Sequence, residues 1–222
     1  LRTHNSTSAG SQDTSPRFVT SYWLYGSTLS TPIPDLARTD YLLCIGANPL
    51  VSNGSLLTAP DMRRRLRALQ ERGGKLVVID PRRSETAHIA DEHVAVVPGA
   101  DAALLLAMVQ VTVKAGLAQE RWLEQHTRGF QEVAAAISDF TPERVAAVAG
   151  VPAEVIVRLA REFASARSSV AYARIGICNN AYSTVASYAV GLLNAVAGRL
   201  GAAGGAVFPK PAIDLPRLSR LS

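Results

Sequence analysis

An α/β fold, with a mostly parallel Rossmann-like sheet flanked by helices, is what three features of the sequence predict. Short, unbroken apolar runs, YLLCI from Tyr41 and KLVVI up to Ile79, have the character of strands buried on both faces of a parallel sheet. Segments with helical periodicity alternate with them. The runs also end in turns that carry chemistry, the first in G-A-N-P and the second in I-D-P-R.

The chain has 222 residues and 48% hydrophobic content, enough for a substantial core. Its net charge of +5 suits a polyanionic ligand without demanding one. The densest basic run, Arg63, Arg64, Arg65 and Arg67, shares a helix with apolar Met62, Leu66 and Leu69 and reads as a solvated face, so nucleic acid is not implied. The two cysteines, Cys44 and Cys178, lie far apart, which argues against a disulfide framework, structural zinc or a cysteine-held cluster in this stretch. No apolar run is long enough for a membrane span, and no signal peptide is visible. A cytoplasmic piece of a larger protein is the expectation.

Taken in order, residues 1–16 are Ser-, Thr- and Gly-rich and read as a loop, followed by a mixed aromatic helix from Phe18 to Leu29. Asp35 is a candidate helix cap in the Pro-punctuated entry to the first strand. After that strand, Gly46 permits a sharp turn, Asn48 offers a donor and an acceptor, and Pro49 stiffens the exit. Ser52 to Ser55 continue a loop able to offer backbone N–H groups to phosphate, or simply to turn. A helix from about Pro60 to Arg72 stops at Gly73-Gly74.

The second strand ends at Asp80, about one βαβ unit beyond Gly46. An acid there either accepts hydrogen bonds from a ribose diol or the edge of guanine, or caps the short helix that follows. Arg82 is placed to neutralise phosphate. Val94 to Val97 reads as a third strand, with Gly99 and Asp101 after it, Asp101 being a ligand group or a helix cap. Helices fill 119–166, two of them opening at Thr141-Pro142 and Val151-Pro152. A fourth strand, Ser169 to Ile175, ends in a polar loop containing Gly176 and Asn180, and a helix from about Ser183 to Ala197 follows. This gives a leading segment at 1–34, an α/β dinucleotide-binding region at 35–205 and a tail at 206–222.

The series YLLCIGANPLVSNGS, KLVVIDPRRSETAHIADEHVAVVPGADAALLLAM, TPERVAAVAGVPAEVIVRLAREFA and YARIGIC, with LLNAVAGRL after it, resembles the central part of the molybdopterin oxidoreductase family, of the dimethyl-sulfoxide-reductase and formate-dehydrogenase type. The resemblance runs from about Ser8 to Ala212. It implies a catalytic subunit that binds two molybdopterin guanine dinucleotides around a molybdenum or tungsten ion, transfers an oxygen atom or a hydride equivalent, and passes electrons through iron–sulfur clusters.

Carried over, Gly46, Asn48, Pro49, Asp80, Arg82, Gly99 and Asp101 hold one dinucleotide, with Ser52, Gly176 and Asn180 in the adjoining loops. The family's metal ligand falls in SAGSQDTSP, where Asp13, or Ser11, supplies a hard oxygen suited to a high-valent ion. His4 is a further candidate, as a proton carrier. The implied partners are the rest of the catalytic subunit, which would carry the iron–sulfur cluster, and an electron-transfer subunit. The stretch by itself is expected to be inactive.

Relatives read RIGTCTQ-x-FG where this chain has RIGICNNAYS, and TGNLDRPGG where it has AGRLGAAGG, so the fine contacts of those loops differ. The alternative is a non-catalytic scaffold of the same descent, like the large iron–sulfur subunit of respiratory NADH dehydrogenase. A nicotinamide-binding domain is disfavoured because no G-x-G-x-x-G follows the first strand.

Overall fold

The computed structural model describes residues 4–210 other than Ser6 and Thr58; the closing LPRLSRLS and the side chain of Ser11 lie outside the described residues. The described strands are β1 (Ile33–Pro34), β2 (Tyr41–Ile45), β3 (Lys75–Ile79), β4 (Glu92–Val94), β5 (Ser169–Ala173) and β6 (Ala206–Val207). Four of them make one sheet in the order β4-β3-β2-β5, with every neighbouring pair parallel. β2 therefore lies inside the sheet, paired to β3 on one edge and β5 on the other. β1 and β6 form a separate antiparallel pair.

Successive side chains of a strand point to opposite faces, and here both faces are dry, which is why the runs are apolar throughout. Leu42, Cys44, Leu76 and Val78 face the helix Met62–Glu71 through its buried Met62, Leu66 and Leu69. Leu43, Ile45, Val77 and Ile79 face the other way, toward the helices Asp101–Lys114, Ala153–Ser165 and Ser183–Val196. The helix Asp101–Lys114 is buried almost all round because it packs against both Pro142–Ala149 and Ser183–Val196. The arginines of Met62–Glu71 lie on its outer side, with Arg63, Arg64 and Arg67 exposed.

β5 is an edge strand, and a buried side chain closes its free edge. Asn194 accepts from Ala171 N–H at 2.9 Å and donates to Ala171 O at 2.9 Å and Val190 O at 3.0 Å. Those bonds satisfy backbone groups that would otherwise be stranded in the core.

Five local expectations are corrected. The leading loop contains a helical turn, Gly10–Asp13, and the aromatic helix spans Ser15–Tyr25 rather than 18–29. Pro16 near its start and left-handed Gly26 at its end set those limits. The third strand is Glu92–Val94, not 94–97, because Val97 N–H turns away to Ala149 O at 2.9 Å. The fourth strand stops at Ala173, and Ile175–Ile177 winds into a 3-10 turn. Asp35 caps no helix; it accepts from Gly204 N–H at 3.0 Å and pairs with Arg38 across a turn.

Candidate functional site

The carboxyl ends of the four parallel strands lie along one rim of the sheet, and most of the predicted residues follow them directly. Gly46 succeeds β2 with φ of +51°, and its N–H donates to Ile79 O at 2.9 Å, beside Asp80. Gly176 follows β5 and donates its N–H to Gly46 O at 3.0 Å. The two backbones touch: a Cβ on Gly176 would sit 2.6 Å from Gly46 Cα, and one on Gly46 would sit 2.9 Å from Gly176 Cα. Only glycine fits at either position, and the contact draws the ends of β2 and β5 together.

Asp80 leaves β3 half-buried, and its Oδ1 accepts from Arg82 N–H at 2.8 Å. It does not cap the next helix. Ser84 does, accepting from Ala87 N–H at 3.3 Å. The backbone of Asp80 is fixed by His93 Nε2 on its carbonyl at 2.8 Å and by its own N–H to Val94 O at 3.2 Å. Its carboxylate therefore keeps acceptor capacity.

Asp101 occupies the first turn of its helix and is 5% exposed. Ala100 is the N-cap residue and has no side chain able to cap the helix. Burial raises the Asp101 carboxyl above its ordinary range; a bond to its own N–H opposes this, and the nearby Asp80 charge adds to it. Asp80 acts on the Cys44 thiol too, which burial first and then that carboxylate push up to about 12. Cys44 is an inert core residue. Gly99, at φ of +87°, brings the turn after β4 toward the loop after β5, where a Cβ on it would lie 3.6 Å from Asn180 Cβ.

The first loop is more internally committed than its composition suggests. Asn48 Oδ1 accepts from Thr86 Oγ1 at 2.8 Å and Thr86 N–H at 3.2 Å, while its Nδ2 donates to Glu85 at 2.6 Å. Asn48 thus clamps this loop to the helix Glu85–Ile89. Pro49 opens a four-residue helix, and the amide of exposed Ser52 is spent on Asn48 O at 3.0 Å. Arg82 is exposed and paired to Glu85 at 3.2 Å.

Asp13 ends the short helix Gly10–Asp13, and its Oδ1 is buried without a hydrogen-bond partner among the described residues. Arg17, four residues on, has a buried Nη1 that is likewise unpartnered. Burial lowers the Arg17 guanidinium below its ordinary value, Arg174 adds to that, and Asp13 opposes it. Cys178, beyond Gly176, feels the same charges. The metal-ligand candidate is therefore close to the loop after β5. Among the described residues no group of three His, Cys, Asp or Glu converges, so Asp13 could give a metal only part of its ligand shell. The orphaned, buried carboxylate oxygen fits that limited part. His4 is exposed. Composition did not reveal Arg17, Arg174 or Glu85, although the i, i+4 spacing of Asp13 and Arg17 was a usable signal.

The family described as "Molybdopterin oxidoreductase" matches residues 3–213, nearly the whole chain. The chain belongs to the molybdopterin oxidoreductase family. The alpha subunit of F420-dependent formate dehydrogenase 2 from Methanococcus maripaludis is 30% identical over 83% of this chain and 27% of its own length. The thiosulfate reductase molybdopterin-containing subunit of Salmonella typhimurium is 40% identical over 59% of this chain and 17% of its own. Among solved structures, acetylene hydratase from Pelobacter acetylenicus superposes with a TM-score of 0.75 at 27% identity, covering 86% of this chain and 25% of that one. The chain spans about a quarter of the first relative's length. Among the described residues no helix is long and apolar enough to cross a membrane.

Proposed function

We propose that the chain is the central α/β part, residues 35–205 with the leading segment 1–34, of a molybdenum or tungsten oxidoreductase that uses bis-molybdopterin guanine dinucleotide. The supporting observation is the rim itself: Asp80 with spare acceptor capacity and buried Asp101 stand beside a Gly46–Gly176 contact at the carboxyl ends of parallel strands. Ligands of open α/β sheets bind outside that edge.

In this reading Asp80 accepts hydrogen bonds from the adjacent donors of guanine or from a ribose diol, and Arg82 offsets phosphate charge. Gly46 and Gly176 keep the rim free of side chains, and Gly99 and Asn180 set the spacing between neighbouring loops. Asn48, Pro49 and Ser52 hold the first loop in shape, Asn48 through Thr86 and Glu85. Asp13 supplies the chain's oxygen donor to the metal. When bound, the group supplies two-electron oxygen-atom or hydride-equivalent transfer. The partners are the rest of the catalytic subunit, carrying an iron–sulfur cluster, and an electron-transfer subunit.

The test is analysis of the full-length protein for molybdenum or tungsten and for guanine nucleotide released on denaturation. Both present together is the expected result. Neither, in protein made by cells able to assemble the cofactor, would leave the non-catalytic scaffold.

A further inference from the structure

A second site lies behind the rim, between the helix Ser15–Tyr25, β5 and the helix Ser183–Val196, where a partly open cavity has a volume of about 70 Å³. We infer that it binds a small monovalent anion, a halide or a planar oxyanion of nitrate size, seated on Arg17 and Ser187.

The polar lining sorts into spent and unspent groups. Asn194 is committed to Ala171 and Val190, Tyr172 OH donates to Gly54 O at 3.2 Å, and Thr20 Oγ1 donates to Arg17 O at 3.1 Å. Of the other polar groups lining it, Arg17 Nη1 and Ser187 Oγ are fully buried and without a partner in hydrogen-bond geometry among the described residues. Ser187 is 8% exposed, and its hydroxyl lies beside the Cys178 thiol, whose ionised form it favours. Both unspent groups can donate, so the missing partner is an acceptor.

Charge gives the same sign. Among the described residues no Asp or Glu lines the cavity. Arg17 and Arg174 act on each other nearby, with Asp13 the acid that answers them. Burial keeps the phenols of Tyr25 and Tyr172 and the thiol of Cys178 protonated, so none of these offsets the guanidinium. A buried guanidinium facing unpaired space costs less with an anion in it. The volume excludes a nucleotide. The site is made of this chain's own side chains and does not depend on the cofactor reading.

Crystals of the full-length protein soaked in sodium bromide should show an anomalous peak within hydrogen-bond distance of Arg17 Nη1 and Ser187 Oγ. Water alone, or an empty cavity, overturns the inference. In solution, cofactor-free full-length protein should gain Tm with sodium nitrate relative to sodium sulfate at matched ionic strength. Arg17→Gln should weaken nitrate binding about tenfold or more, Arg17→Lys less, and Ser187→Ala partly. A bromide peak without a nitrate-dependent Tm shift means binding at crystal concentration only, and counts against it. So does an equal shift in all variants. Should Arg17→Gln fail to fold, Ser187→Ala carries the comparison, and an unchanged nitrate response there also overturns the site.

Discussion

The two ends of the parallel sheet treat charge in opposite ways. At the amino ends, Lys75 meets Glu92 at 2.9 Å and Glu162 at 2.7 Å, Arg158 bonds both acids, and Tyr41 OH donates to Glu162 at 3.2 Å. Asp40 is held there by Arg167 at 2.7 and 2.9 Å and by Ser168 at 3.0 Å. At the carboxyl ends, Asp80 and Asp101 stand within electrostatic reach of each other, and the nearby Arg82 pairs with Glu85 instead. Asp13 Oδ1 and Arg17 Nη1 are buried near the same rim with nothing to bond. Most charges at the amino end are paired within the protein, Arg199 Nε being a buried exception, whereas acids and a guanidinium at the carboxyl end lack such partners among the described residues. The difference lies in how polar groups are satisfied.

Several changes break or sharpen that contrast. The largest effect is expected from Gly46→Ala, which combines a backbone clash with Gly176 and a left-handed φ. It should cost about 2–4 kcal/mol in urea unfolding of the full-length protein and remove cofactor as well. Wild-type stability would show that the two strand ends are not pinned together.

Next comes Asp80→Asn, expected to lower cofactor retention about tenfold or more while leaving apo stability nearly unchanged. Ser84 does the capping, and an Asn oxygen can still accept from Arg82 N–H. Released guanine nucleotide per polypeptide is the readout, and wild-type occupancy would remove Asp80 from the site.

At the amino end Glu162→Gln should do the reverse, leaving cofactor content intact and costing about 0.5–1 kcal/mol, since its side chain is 31% exposed and screened. The Glu92 carboxyl is held below its ordinary range by Arg158 and then Lys75; Glu162, despite the opposing effect of burial, is lowered by Lys75 and Arg158. Their stabilisation is present above ordinary carboxylate values and lost as pH falls through the depressed ones. Acid unfolding of Glu162→Gln should therefore be less steep than that of the wild type.

The smallest effect is expected from Asp101→Asn in the apo protein. The raised carboxyl pKa means that folding favours the neutral form, so stability is lost as pH rises through that value. An amide removes this penalty, and losing a favourable charge near a helix N-terminus offsets part of the gain. The substitution should stabilise slightly at neutral pH and do nothing in acid. Destabilisation at neutral pH would contradict the buried-acid reading.

Much of this was legible in the sequence because strands dry on both faces leave unbroken apolar runs, as in Leu42 to Ile45 and Leu76 to Ile79. The positions of Gly46, Asp80 and Gly176 at strand ends follow from those runs. What could not be read was pairing at a distance. Composition marks Asn48 as a free amide, but its partners Thr86 and Glu85 come from a later helix. The end of the third strand was also misplaced, because Val97 answers to Ala149, a residue local periodicity cannot see. Arg17 was hidden by a Ser-rich context that reads as loop although it folds into helical turns.

The position of β2 inside the sheet has a consequence for how the chain is made. Its partner on one side, β3, emerges soon after it, but its partner on the other arrives much later; Asp40 and Ser168, which bond as β2 and β5 begin, lie 128 positions apart. Until β5 leaves the ribosome, the apolar strand Tyr41–Ile45 keeps an open edge, the kind of surface that recruits stray strands and chaperones. Synthesis thus imposes a waiting period on this sheet, and pulse-labelled hydrogen exchange during refolding should protect the amides of β2 and β5 in the same late step.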